Sequence, residues 1–163
     1  MSNNISPYLS QTERLADVIS AIQAMGTYKF YKLTFEGWSK KISGSENNSA
    51  HWSKVIKEHP EFFRMDNTKT KASLVWRRNY QRTYHVDKNK VLTREECNAL
   101  PGKERSERVS RLPLSSSDIS VLVSTAINLH SRALEKEKAS RWWVTPAVGI
   151  LGIVIGALVK AYV

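Results

Sequence analysis

Before residue 60, apolar residues recur at helical spacing in three places. From about Thr12 to Met25 the apolar positions are Leu15, Ala16, Val18, Ile19, Ile22 and Met25. They form one buried face of a helix that Gly26 is placed to close. Tyr28 to Leu33 alternates in part and reads as a short extended piece. A second helix is predicted from Thr34, with Glu36 in its first turn and Phe35, Trp38 and Ile42 buried. Ser43 to Asn48 is a polar turn containing Gly44. A third helix fits Asn48 to Glu58, with Trp52, Val55 and Ile56 on one face and His51, Lys54 and Lys57 pointing away from it. His59-Pro60 ends it, because the residue before a proline avoids the helical region. Two extended runs follow, Phe62 to Met65 and Ala72 to Arg78, and Asp66 to Lys71 between them is polar and basic, as a hairpin tip should be.

The resulting order is helix, helix, helix, strand, strand. This is the layout of a winged helix, a helix-turn-helix variant, with the third helix as the recognition helix and Asn67 to Lys71 as the wing. Thr93-Arg94-Glu95-Glu96 then has the form of a capping box and opens a helix through about Leu100. Pro101-Gly102 interrupts it, Lys103 to Arg111 is highly charged, and Pro113 marks a boundary. A last helix starts at Ser116 or Ser117. Its residues Ile119, Leu122, Ala126, Leu129 and Ala133 make a heptad-like seam that either docks on the domain or pairs with a second copy.

The pattern changes again at Trp142. WWVTPAVGILGIVIGALV, residues 142–159, carries no charge, and as a helix it spans about 27 Å, close to the hydrocarbon thickness of a bilayer. Trp142 and Trp143 stand at one end and Tyr162 at the other, as in an aromatic belt. Arg132, Lys136, Lys138 and Arg141 precede the span and only Lys160 follows it, so the N-terminal part is expected in the cytoplasm. Gly149, Gly152 and Gly156 share one side of this helix, and Gly152 with Gly156 forms a GxxxG pair suited to self-association.

The expected fold class is thus mainly α, of α+β type: a winged-helix-like domain of three helices and a β-hairpin, a helical stalk, and one C-terminal transmembrane helix. The divisions are a flexible N-terminus at 1–10, the domain at 11–92, a charged helical linker at 93–114, an amphipathic stalk helix at 115–141 and a tail anchor at 142–163.

Charge sharpens this picture. The chain has 163 residues and a formal net charge of +10. From Arg64 to Arg94 nine basic residues (Arg64, Lys69, Lys71, Arg77, Arg78, Arg82, Lys88, Lys90, Arg94) face two acids, Asp66 and Asp87, a net of +7. Such a surface attracts phosphates on nucleic acid or anionic lipid, or else serves as a solvated face. Lys69, Lys71, Arg77, Arg78 and Arg82 are the candidate phosphate- or partner-binding residues.

Catalytic chemistry is not indicated. Cys97 is the only cysteine, so an intramolecular disulfide and a cysteine-based zinc site are excluded. Its neighbours Glu95 and Glu96 would disfavour a reactive thiolate. His51, His59, His85 and His130 are scattered, without HExxH or a similar cluster, and there is no P-loop, dinucleotide fingerprint or GxSxG. No metal site and no cofactor is expected. His130 reads as a helix-surface residue near the membrane. Trp38, Trp52 and Trp76 read as core packing in preference to base stacking. Met1 to Met25 has no basic stretch before an apolar run, so no cleaved secretory signal is read there.

Several strings carry a resemblance: residues 14–19 (RLADVI), 59–64 (HPEFFR), 72–78 (ASLVWRR), 126–134 (AINLHSRAL) and 140–143 (SRWW). Together they are similar to an uncharacterised family of small bacterial single-pass membrane proteins with a winged-helix-like N-terminal domain. Some members bear an automatic label of N-carbamoyl amino-acid amidohydrolase. The resemblance implies a bacterial source, a single-pass membrane protein and no established activity; the expected location is the bacterial inner membrane. The hydrolase label finds no ligand cluster or activated nucleophile here.

Three readings of function stay open: a membrane adaptor or scaffold that recruits a protein through its winged-helix-like domain, a membrane-tethered DNA-binding regulator using the basic wing, and an organiser lying on anionic lipid. The third helix offers His51, Lys54 and Lys57 but no arginine, the commonest base-reading residue, which favours the protein partner.

Overall fold

A computed structural model of the protein describes residues 6–140. The predicted membrane helix, with Gly149, Gly152 and Gly156, lies outside them. Among the described residues no helix is long and apolar enough to cross a membrane. The fold is mainly helical with two small sheets.

The first unit runs α1 (Arg14–Thr27), β1 (Lys32–Thr34), α2 (Phe35–Ser43), α3 (Ser49–Glu58), β2 (Phe63–Met65) and β3 (Lys71–Leu74). Local chemistry sets its boundaries. Thr34 caps α2 by accepting from the Gly37 amide at 3.2 Å. Gly44 ends α2 at φ 75°, a left-handed conformation that glycine adopts without strain. His59 follows α3 at φ −121°. At the hairpin tip the Asp66 carboxylate accepts from the Thr68 hydroxyl and from the Thr70 and Lys71 amides, at 3.0–3.2 Å. These bonds hold Asp66 below the ordinary carboxylate range, although burial alone would raise it.

The strands form one antiparallel sheet in the order β1-β3-β2. Lys32 pairs with Ser73, Thr34 with Lys71, and Arg64 with Ser73, so these residues share one face of the sheet. Ala72, Leu74 and Phe63 on the other face join Val18, Ile22, Met25, Trp38, Val55 and Ile56 in the core. The Trp38 indole N–H satisfies itself on the Ala72 carbonyl at 2.9 Å, and that of Trp52 on the Ser43 hydroxyl at 3.2 Å. Trp76, 36% exposed, stands outside the core.

Several expectations need correction. The second strand stops at Leu74, and Trp76–Asn79 is a 3-10 turn, so Arg77 and Arg78 are not on a strand. Gly26 lies inside α1 and does not follow it. A Cβ there would meet Ile119 Cγ1 at 3.2 Å, so the glycine permits close approach of the last helix. Ala16 is exposed. Part of the expected flexible N-terminus is ordered: a 3-10 turn at Pro7–Leu9 buries Tyr8 against the rings of His59 and His130.

Residues 84–110 are not a linker. β4 (Tyr84–His85), β5 (Lys90–Val91) and β6 (Val109–Ser110) form a second antiparallel sheet in the order β5-β4-β6. The segment between β5 and β6 holds α4 (Arg94–Ala99) and α5 (Gly102–Arg108). The capping box at Thr93 and Glu96 is formed. Leu92, Cys97 and Val109 make a small apolar cluster of their own. The boundary placed between residues 92 and 93 therefore cuts through one structural unit.

α6 (Ser116–Ser140) is not a free stalk over its length. Leu122 and Ala126 are buried in the main core, and Ile119, Val123, Leu129 and Ala133 pack against it. The heptad-like seam thus docks on the domain's own α1 and on the turn at Pro7–Leu9.

Candidate functional site, a basic cleft beside the hairpin

The candidate basic residues fall into three groups. Arg77 is fully buried and spent on the chain itself. Its Nη1 donates to the Met25 and Tyr28 carbonyls at 2.9 and 2.6 Å, its Nε to Leu112 at 3.2 Å and its Nη2 to Arg111 at 2.6 Å. Burial, with Arg111 nearby, pulls its pKa down to about 10, so it stays charged at neutral pH. Arg77 is therefore removed from the candidate surface: it caps carbonyls at the end of α1 and joins them to residues 111–112. Arg78 is half-buried, and its carbonyl accepts from Arg111.

Arg82 is exposed as a residue, yet one side of its guanidinium is fixed. Nε donates to the Val109 carbonyl at 3.2 Å, and Nη2 to Val109 and Ser106 at 2.8 and 3.2 Å. Lys69 and Lys71 remain on the hairpin surface. Lys69 sits at the tip with φ 56°, a conformation a non-glycine residue adopts only in tight turns.

The structure brings Lys71 and Arg82 together with Lys32, which sequence reasoning missed. They line a cleft of about 380 Å³ between the outer face of the β1-β3-β2 sheet and the α5–β6 segment, together with Tyr31, Glu107 and Ser110. Lys32 reaches it because β1 pairs with β3 and places Lys32 and Lys71 on one face. The Tyr31 amide donates to the Ser110 hydroxyl at 3.1 Å and ties the two walls. Arg111 lies over the Tyr31 ring at 5.0 Å. Lys32 is partly offset by Asp66 at 3.7 Å. The partial alternation before Leu33 hinted at a strand, but pairing that strand with β3 required the tertiary fold.

The outward face of α3 is more occupied than its spacing suggested. His51 Nε2 lies 3.2 Å from Asp17, and Lys54 lies 3.9 Å from Glu58. The same two acids flank the fully buried Arg14, with Glu58 at 3.0 Å and Asp17 at 4.0 Å. Lys57 lies over the Phe35 ring at 5.3 Å. His51 and Lys54 thus share the counter-ions of an internal arginine.

The other histidines are structural in placement. His59 is buried and its Nδ1 is 3.0 Å from Glu61, which also accepts from the Tyr8 hydroxyl at 2.8 Å. His85 is buried against Glu104 at 3.1 Å. His130 is half-buried beside Tyr8, not a free surface residue. Cys97 is buried. Among the described residues no group of three or more His, Cys, Asp or Glu is placed to hold a metal ion.

No protein-family model, no curated protein and no solved structure matches the chain.

Proposed function

We propose that this protein is a membrane-anchored interaction module, an adaptor or scaffold, whose winged-helix-like domain recruits a protein partner at the cytoplasmic face of a bacterial inner membrane. The winged-helix part is supported by the element order helix, strand, helix, helix, strand, strand and by a sheet with its third strand in the centre. The membrane part is supported by the uncharged stretch 142–159 with its tryptophan pair and preceding basic residues. A second copy associating through Gly149, Gly152 and Gly156 belongs to the same reading, which involves no catalysis and no cofactor.

One observation carries the choice of a protein over a duplex: several of the groups expected to grip DNA, on the third helix and after the wing, are engaged within the chain. Arg77 is buried on four carbonyls, Arg82 is tied on one side, and His51 and Lys54 share the acids of Arg14. Phosphate binding draws on unpaired lysines and arginines, and base reading on free donors. The DNA-binding reading keeps one specific support, the exposed wing lysines Lys69 and Lys71.

The experiment is capture of the full chain from detergent-solubilised membranes, with mass spectrometry of bound proteins and sequencing of bound DNA. A specific protein, lost when Lys54 and Lys57 are changed to Glu, is the expected result. Enrichment of a DNA sequence, lost when Lys69 and Lys71 are changed to Gln, would replace this reading with the tethered regulator. Deleting residues 142–163 should move the chain to the soluble fraction; a truncated chain that still pellets after a high-salt wash would remove the anchor.

A further inference from the structure

We propose that the cleft between the hairpin sheet and the α5–β6 segment is a recognition site for an oxyanion on an extended peptide, an acidic or phosphorylated side chain. Its being a peptide rests on the adaptor reading; the cleft's taste for an oxyanion does not.

The cleft holds two cationic groups with donors to spare. The Lys71 ammonium makes no ion pair or hydrogen bond among the described residues. The Arg82 guanidinium is held by its Nε and Nη2 bonds to the Val109 and Ser106 carbonyls, which leaves the Nη1 donors uncommitted. An arginine already locked in place loses little further freedom on gripping a ligand. The Ser110 hydroxyl accepts from the Tyr31 amide, so its own proton remains to donate. Lys32 adds positive charge at 32% exposure, partly offset by Asp66. Glu107 is the one acid on the lining, against three cations.

Size separates the macromolecules. About 380 Å³ is at the small end of ligand pockets, enough for a side chain and its flanking backbone. A duplex presents its phosphates on a broad convex surface and would meet Lys69 at the wing tip first, outside the cleft. A lysine and a preorganised arginine lining one cleft suit a single oxyanion with charge-assisted bonds.

The test uses the full chain in a neutral detergent and fluorescence anisotropy at about physiological salt. The probes are a labelled glutamate-rich peptide, its glutamine counterpart, a phosphoserine peptide of the same length and a labelled random duplex. The expected result is binding of the glutamate or the phosphoserine peptide, or both, with the relative affinities naming the natural oxyanion, and no binding of the glutamine peptide. Lys71→Gln should weaken it about tenfold, the loss of one charge-assisted contact. Lys69→Gln, at the tip, should change it less than twofold. Because Arg82 also pins β6, Arg82→Lys, which keeps the charge and breaks the fork, serves in place of a neutral variant and should fall between the two.

Equal effects of Lys69→Gln and Lys71→Gln would mean diffuse attraction and overturn the site. So would tighter binding of the duplex than of either peptide, or an unchanged affinity in Lys71→Gln. If a protein is captured from membranes yet neither anionic peptide binds, the cleft proposal falls and the adaptor reading stands. If a peptide binds and no protein is captured, the reverse holds.

Discussion

The two small sheets are held by different forces. Around β1-β3-β2, large apolar side chains converge: Trp38, Ile22, Met25, Ile56 and Leu74 are all essentially inaccessible to solvent. Around β5-β4-β6 the apolar cluster is only Leu92, Cys97 and Val109, with Leu100 against it. Arginines tie down the flanks of this segment: one binds within it and two bind the chain on either side of it. Arg77 binds carbonyls of Met25, Tyr28, Arg111 and Leu112, Arg82 binds those of Ser106 and Val109, and Arg111 binds those of Arg78 and Tyr80. A segment with too little apolar surface to fold on its own can be tied down by a planar cation that satisfies several carbonyls at once. The same residues that make a stretch look like a ligand surface can be the fastenings of its fold.

If that contrast is right, Arg77→Ala should be the most damaging single change outside the apolar core. It strands four carbonyls, and we expect a loss of about 5 kcal/mol, read as a collapse of the urea transition. Trp38→Ala should cost about 4 kcal/mol by cavity formation and loss of its bond to Ala72. A much smaller effect at Arg77 than at Trp38 would break the comparison. Thr93→Ala removes the cap of α4 and should cost about 1 kcal/mol, with faster amide exchange confined to residues 84–110. Exchange that speeds equally throughout the domain would mean that the two sheets unfold as one.

The smallest effect is expected from pH. Burial alone would raise the Glu61 pKa, but hydrogen bonds from His59, its own backbone and Tyr8 hold it below the ordinary carboxylate range. A depressed folded-state pKa gives stability that is present above the unfolded value and lost as pH falls through the folded value. Glu61→Gln should therefore lower stability at neutral pH, and its gap to the parent chain should close below about pH 4. A gap that persists at acid pH would assign the role of Glu61 to packing.

The first sheet's unit was largely legible in the sequence. Period-3.6 apolar faces placed α1, α2 and α3 within a few residues, and the cap at Thr34, the turn at Gly44 and the stop at His59-Pro60 carried boundaries that depend on neighbouring residues alone. The second sheet was not legible. Its strands are two residues long, too short to alternate, and β4 pairs with β6 across α4 and α5. The charge count from Arg64 to Arg94 correctly found many cations, but charge does not say which way a side chain points. Arg77 turns inward because a 3-10 turn replaces the strand after Leu74, and the open carbonyls at the end of α1 await it. For the cleft, Lys71 and Arg82 were named from sequence, whereas Lys32 was recoverable only through the register of β1 on β3.

The docking of α6 on α1 bears on how the chain is made. Gly26 and Ile119 touch in the finished fold, yet 93 positions separate them in the chain. At roughly 10 residues per second, a ribosome takes on the order of ten seconds to travel that distance. During that interval the α1 surface destined for α6 has emerged without its cover. The nascent domain therefore carries an uncovered apolar stripe until α6 is made, shortly before the hydrophobic stretch after Trp142. A chaperone that holds the first stripe would meet the second apolar stretch within moments.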